Sequence, residues 1–176
     1  MVVVMAGQPY GLVVIESQGV AFSVTNLQQL HELDRGFYPV AIGTDNFSDN
    51  FLSVETADAL QTALNTVLRV FKEYGVEEYT GFAGNVFFEA DNAEFVRDQL
   101  YNRTGVWLRQ LAVSEETYNR ANAVMQHFPQ FDQLANEGTL LIDIGGGTVE
   151  LMAFQRGQFC FARNLPLGPI RVVEDL

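Results

Sequence analysis

The sequence predicts an α/β protein: one domain of strands and helices, followed by the opening strands of a second. Three observations carry this prediction. Short apolar runs broken by turn residues fill the amino-terminal stretch. From residue 54 onward, helix-like and strand-like segments alternate. Late in the chain, Ile142-Asp143-Ile144-Gly145-Gly146-Gly147-Thr148-Val149-Glu150 joins two further strands through three glycines.

The elements follow in order. Residues 1–6 and 11–15 are apolar and joined by Gly7-Gln8-Pro9-Tyr10, which predicts a hairpin. A third strand is expected at 20–24, after Ser17-Gln18-Gly19. Residues 26–50 are polar and aperiodic, with one strand expected at 38–42. A long helix is expected over 54–74, where Leu60, Leu64, Val67, Leu68 and Phe71 recur at helical spacing; Ser53 is placed as its N-cap and Gly75 as its stop. A strand at 78–83 follows, then a helix at 92–101 capped by Asn92, with Phe95, Val96 and Leu100 inward. Residues 106–113 read as a strand, and Ser114 as the cap of a third helix with Glu115 and Glu116 in its first turn, where the helix dipole favours carboxylates. The domain organisation expected is a first domain over 1–128, a connection over 129–138, and an incomplete second domain over 139–176, because a hairpin and one more strand cannot bury a core alone.

Composition excludes several classes. Hydrophobic residues make up 48% and aromatic residues 12%, as in globular proteins rather than disordered ones. The net charge is −12 and arginine supplies all but one of the ten basic residues, the exception being Lys72. An acidic surface repels nucleic-acid and membrane phosphates, so neither is expected as a partner. No apolar run reaches the roughly 20 residues that span a bilayer, and the first residues lack the basic character of a signal peptide, so a cytoplasmic protein is expected. Cys160, the sole cysteine, lies between Phe159 and Phe161 and is expected to be buried. His31 and His127 are expected at the surface, and Trp107 in core or edge packing.

The glycine run is the strongest functional signal. Three glycines in a strand-to-strand turn contribute no packing and cost backbone entropy on ordering. They make sense where the main chain must come close to a ligand, and their amides with the Thr148 hydroxyl suit phosphate oxygens. Asp143 ends a strand, where a carboxylate can hold a divalent metal or its waters. Arg120, one turn after Glu116, is expected to be a solvated helix residue or an ion-pair partner.

Over nearly its whole length the chain resembles the Ppx/GppA family, the exopolyphosphatases and guanosine pentaphosphate phosphohydrolases of the actin-like ATPase (ribonuclease H-like) superfamily. Asp143 to Leu151 resembles the family's second phosphate loop, with Thr148 and Val149 in place of serine and threonine. Leu165-Pro166-Leu167-Gly168, with Arg171 and Glu174 after it, resembles a further family segment. The stretch from Thr104-Gly105-Val106 to Ser114-Glu115-Glu116 runs without gaps along the segment that carries the family's catalytic glutamate, which falls on Glu116. The resemblance implies an actin-like fold with a mixed sheet and flanking helices, and the start of a second such domain. It implies in-line attack of water on a terminal phosphoryl group, releasing phosphate from polyphosphate or guanosine pentaphosphate. Gly145, Gly146, Gly147 and Thr148 would hold phosphate, Asp143 and Glu150 would hold Mg²⁺ or its waters, and Glu116 would orient and deprotonate the water. Family members are usually homodimers, so self-association is implied as well.

The chain also departs from the pattern. The first phosphate loop, usually Asp-Ile-Gly-Ser-Asn-Ser, falls on Val4 to Pro9, where Val4 cannot bind metal and Pro9 has no amide donor. A family threonine and arginine fall on Gly84 and Phe88. These losses predict an impaired phosphohydrolase; the alternative is a non-catalytic phosphate- or nucleotide-binding or regulatory relative.

Overall fold

The computed structural model describes residues 7–174. It divides into two units, Met1–Gln110 and Leu111–Leu176.

The first unit is a five-stranded sheet with helices. Its strands are β1 (Pro9–Glu16), β2 (Gly19–Asn26), β3 (His31–Pro39), β4 (Glu78–Ala83) and β5 (Leu108–Gln110), in the order β3-β2-β1-β4-β5. β1 pairs antiparallel with β2 and parallel with β4, so the sheet is mixed, as expected. Both edges of β1 are thereby taken, and the expected hairpin partner, residues 1–6, lies outside the described residues.

The helices are α1 (Ile42–Asp49), α2 (Val54–Glu73), α3 (Asn85–Phe88) and α4 (Ala93–Thr104). α2 follows the apolar stripe: Leu60, Leu64, Val67 and Phe71 are buried against Val13, Ile15, Val20, Phe22 and Leu108 in one core. The fit is close at Gly11, where a Cβ would stand 2.6 Å from the Phe71 ring. The polar stretch 26–50 is more ordered than expected, forming β3 and α1. β3 is an edge strand exposed along much of its length, so the core imposes no apolar alternation on it. Phe95, expected inward, is 64% exposed, because α4 buries Ala93, Val96 and Leu100 instead. Trp107 is half exposed and packs edge-on against Tyr101, under the Arg97 guanidinium.

The second unit begins earlier than the expected boundary. It comprises α5 (Val113–His127), α6 (Phe131–Glu137), a meander β6 (Thr139–Ile144), β7 (Val149–Gln155) and β8 (Gln158–Leu165), and α7 (Pro169–Glu174). The expected connection over 129–138 is mostly α6, and the helix carrying Glu116 belongs to this unit. The reason lies in packing: Ala121 of α5, Phe131 and Ala135 of α6, and Met152 and Phe154 of β7 form one small core. The expected strand over 106–113 shrinks to three residues, and the helix cap moves from Ser114 to Ala112, whose amide donates to Glu115 Oε2 at 3.1 Å. Cys160 is exposed, with Phe159 and Phe161 half exposed, since β8 is an edge strand. His31 and His127 lie at the surface as expected. Among the described residues no helix is long and apolar enough to cross a membrane.

The start of α2 yields a prediction. The Ser53 hydroxyl accepts from the Thr56 amide at 3.1 Å and donates to Asp45 Oδ2 at 2.5 Å. Burial pushes the Asp45 carboxyl up, but hydrogen bonds from Ser53, Thr56 and the Ser53 amide outweigh it and hold the group below its usual 3.8. Ser53→Ala is expected to cost about 1 kcal/mol in urea unfolding. A depressed folded-state value contributes stability above the unfolded value and loses it as pH falls through the folded one. The difference in melting temperature between wild type and Asp45→Asn is therefore full at neutral pH and closes in acid, below 3.8.

Candidate functional site

The site grows from the β6–β7 hairpin. Its register sets Asp143 directly opposite Glu150 and Ile144 opposite Val149. Directly opposed residues of an antiparallel pair share a face, and like charges there repel. The face is also the inner one: Glu150 is 1% exposed and lies in the same row as Met152 and Phe154. A buried carboxylate is costly unless a cation and hydrogen bonds meet it.

α5 supplies both. Glu116 and Arg120 are one turn apart, and Thr117 lies beside them on the helix surface. Arg120 Nε is 3.0 Å from Asp143 Oδ2, its Nη1 is 3.2 Å from Glu150 Oε2, and its Nη2 is 3.8 Å from Glu116 Oε2. The Thr117 hydroxyl donates to the other Glu150 oxygen, Oε1. Burial works against the Arg120 charge, but Asp143, the hydrogen bond to Glu150, and the attraction of Glu116 and Glu150 outweigh it. The guanidinium is therefore held above its usual range and stays charged. One side chain thus joins the residues expected to be the water-activating base and the two metal ligands. The ion-pair expectation for Arg120 holds, with its side chain still 36% exposed.

The divalent cation that the resemblance implies does not fit this arrangement. Both Glu150 oxygens are engaged, one Asp143 oxygen is engaged, and the space between the carboxylates is filled by a permanent cation. A dication about 4 Å from that guanidinium would meet a repulsion of about 8 kcal/mol at an effective dielectric constant of about 20. Among the described residues no group of three His, Cys, Asp or Glu is arranged to hold a metal ion.

The glycine loop is braced from behind. The Gly145 amide donates to the Thr148 carbonyl at 2.9 Å, closing the turn. The Gly146 carbonyl accepts from the Ile170 amide at 3.0 Å, and the Gly147 carbonyl from Arg171 Nε at 3.1 Å. Gly168 lies against the same loop: a Cβ there would stand 2.3 Å from the Gly146 oxygen and 2.4 Å from the Thr148 nitrogen. The amides of Gly146, Gly147 and Thr148 make no hydrogen bond among the described residues. They remain as donors for an anion, with the Thr148 hydroxyl beside them, whereas the Gly145 amide is already used. None of the three loop glycines has a positive φ, so close approach rather than handedness is what they permit.

The structure therefore brings Glu116, Asp143 and Glu150 together and sets Gly145, Gly146, Gly147 and Thr148 at the end of the same hairpin. The substituted positions lie in the other unit. Val4 is outside the described residues, Gly7 precedes β1, and Pro9 is its first residue. The expected first loop over Val4 to Pro9 thus lies partly outside the described residues, and the turn after β1 is Ser17-Gln18, whose carbonyls accept from the Gly43 and Val40 amides. Gly84 precedes α3 and Phe88 ends it. Sequence reasoning gave no role to Thr117, Gly168 or Arg171. Only the Leu165-Pro166-Leu167-Gly168 segment, noticed for its resemblance, pointed toward the latter two.

Fold and site define a mixed-sheet α/β protein carrying an acidic, glycine-rich hairpin. The chain belongs to the Ppx/GppA phosphatase family, which matches residues 20–176, from within β2 to the last residue. A structure of an exopolyphosphatase from Cytophaga hutchinsonii superimposes with a TM-score of 0.84 at 17% identity, over 96% of this chain and 54% of that one. The Ppx/GppA family member of Aquifex aeolicus gives a TM-score of 0.71 at 17% identity, over 95% of this chain and 54% of that one. A bifunctional 3-dehydroquinate synthase/phosphatase of Fusobacterium nucleatum is 21% identical over 151 residues, which is 85% of this chain and 22% of the relative. The chain thus spans about half the length of the two structures and about a fifth of the curated relative.

Gly168→Ala should force the loop and the 165–171 segment apart. Its expected cost in chemical unfolding is about 1–3 kcal/mol, the range for overpacking. Gly145→Ala, whose Cβ would have its nearest neighbour at 3.5 Å, is the control and should unfold close to wild type.

Proposed function

We propose that this chain recognises phosphoric anhydrides, of the polyphosphate or guanosine pentaphosphate type, and that its hydrolytic step is impaired. The observation that carries the reading is the engagement of Glu116, Asp143 and Glu150 by one guanidinium. Phosphoryl transfer relies on positioning and on neutralising charge at the transferring group. A base must be in reach of the attacking water to take its proton. Here the carboxylate expected to do so is turned toward Arg120, and that guanidinium is spent on protein carboxylates. Binding has separate support: the amides of Gly146, Gly147 and Thr148 have no hydrogen-bond partner among the described residues, and the Thr148 hydroxyl lies beside them in a braced turn.

The same observation favours the second reading, a binding or regulatory relative without catalysis. The two differ in the rate that remains. Phosphate release from polyphosphate and from guanosine pentaphosphate by the full chain is the deciding assay. The proposal expects little turnover and little change on Glu116→Gln; brisk release abolished by that substitution would sink it. Calorimetry with inorganic phosphate, pyrophosphate and ATP tests recognition. Thr148→Val is expected to weaken pyrophosphate binding about tenfold, the effect of one charge-assisted hydrogen bond. Absence of heat with all three ligands would remove the binding half of the reading.

A further inference from the structure

We infer that Arg120 is a covalently attached replacement for a divalent cation, and that the carboxylate site of this chain is assembled without metal. The inference concerns the site discussed above but not its ligand, so it can fail while phosphate recognition stands, and the reverse.

The geometry is that of a chelate. Three nitrogens of one guanidinium each approach a carboxylate from a different element: Nε to Asp143 on β6, Nη1 to Glu150 on β7 and Nη2 to Glu116 on α5. The remaining Glu150 oxygen receives the Thr117 hydroxyl, which completes the buried group's partners from within the protein. A bound metal ion would perform the same task, holding two opposed strand carboxylates and one helix carboxylate together. It would do so only while its concentration exceeded its dissociation constant. Arginine stays charged at all relevant pH values and cannot be chelated away. The hairpin calls for a cation, because register sets the half-buried Asp143 against Glu150, which is buried. Among the side chains positioned to meet that need, Arg120 meets all three carboxylates.

Mn²⁺ titration of the full chain, followed by electron paramagnetic resonance without phosphate present, tests this. Wild type and Asp143→Asn should bind Mn²⁺ alike, since neither offers a site between these carboxylates. Arg120→Gln should bind at least about tenfold tighter than wild type, lose that gain when Asp143→Asn is added, and melt at a higher temperature with Mn²⁺. Arg120→Lys, which keeps the charge, should show no gain. EDTA should leave the wild-type melting temperature unchanged. Two results would overturn the inference: Mn²⁺ binding by wild type that Asp143→Asn abolishes, or a folded Arg120→Gln with no gain in affinity. If Arg120→Gln does not fold, the comparison of wild type with Asp143→Asn decides alone.

Discussion

The second unit depends on the meeting of one guanidinium with three carboxylates. Strand register places Asp143 opposite Glu150, and the inner face of the hairpin buries Glu150 almost completely. Without a cation at that point the hairpin would hold like charges side by side in a poorly solvated place. Arg120 removes the conflict, and in doing so fixes α5 to the sheet through contacts that neither Ala121 nor Phe131 could supply. The apolar core of this unit is small, so this polar contact governs its architecture as well as its chemistry. Ion pairs that include a buried carboxylate often add little net stability over apolar packing, yet leaving that carboxylate unpaired is costly. Such a contact is better at specifying an arrangement than at strengthening it.

The glycine turn and the carboxylates beside it meet at that same point. A glycine turn with unspent amides remains, braced by Gly168, Ile170 and Arg171. The acidic residues beside it are engaged by a protein cation, Glu150 from a buried position and Asp143 from a half-exposed one. Residue identity alone therefore says little about the arrangement: Glu116, Asp143 and Glu150 are engaged by Arg120, which their types do not reveal.

What could be read from sequence follows what the core imposes. α2 was legible because five apolar residues recur at helical spacing and four of them are buried. β4 and the β6–β7 hairpin were legible because apolar runs are bounded by turn residues. β3 was not, because an edge strand with largely exposed side chains carries no alternation for the core to demand. The same cause misled the reading of Phe159, Cys160 and Phe161 on β8. α5 buries only Ala121, so its pattern could not say which unit it joins. At the site, residue types were legible and pairings were not. Whether Arg120 faced solvent or an acid depended on a strand register some 20–30 residues downstream, which no local spacing encodes.

The two sheets also differ in how far apart in the chain their neighbours lie. β6, β7 and β8 form a meander in which each strand pairs with the next, and the brace from Gly168 and Ile170 returns to a loop only about two dozen residues earlier. In the first unit, β1 must find β4, with Tyr10 aligned on Glu78 across the whole of α1 and α2. Hairpins close in microseconds, whereas distant parallel pairings await a large loop closure and slow a domain's folding. The hairpin that carries the glycine loop is thus set to form early and locally. The five-stranded sheet, although its first strands leave the ribosome sooner, must wait for β4 and β5 before its order can be completed.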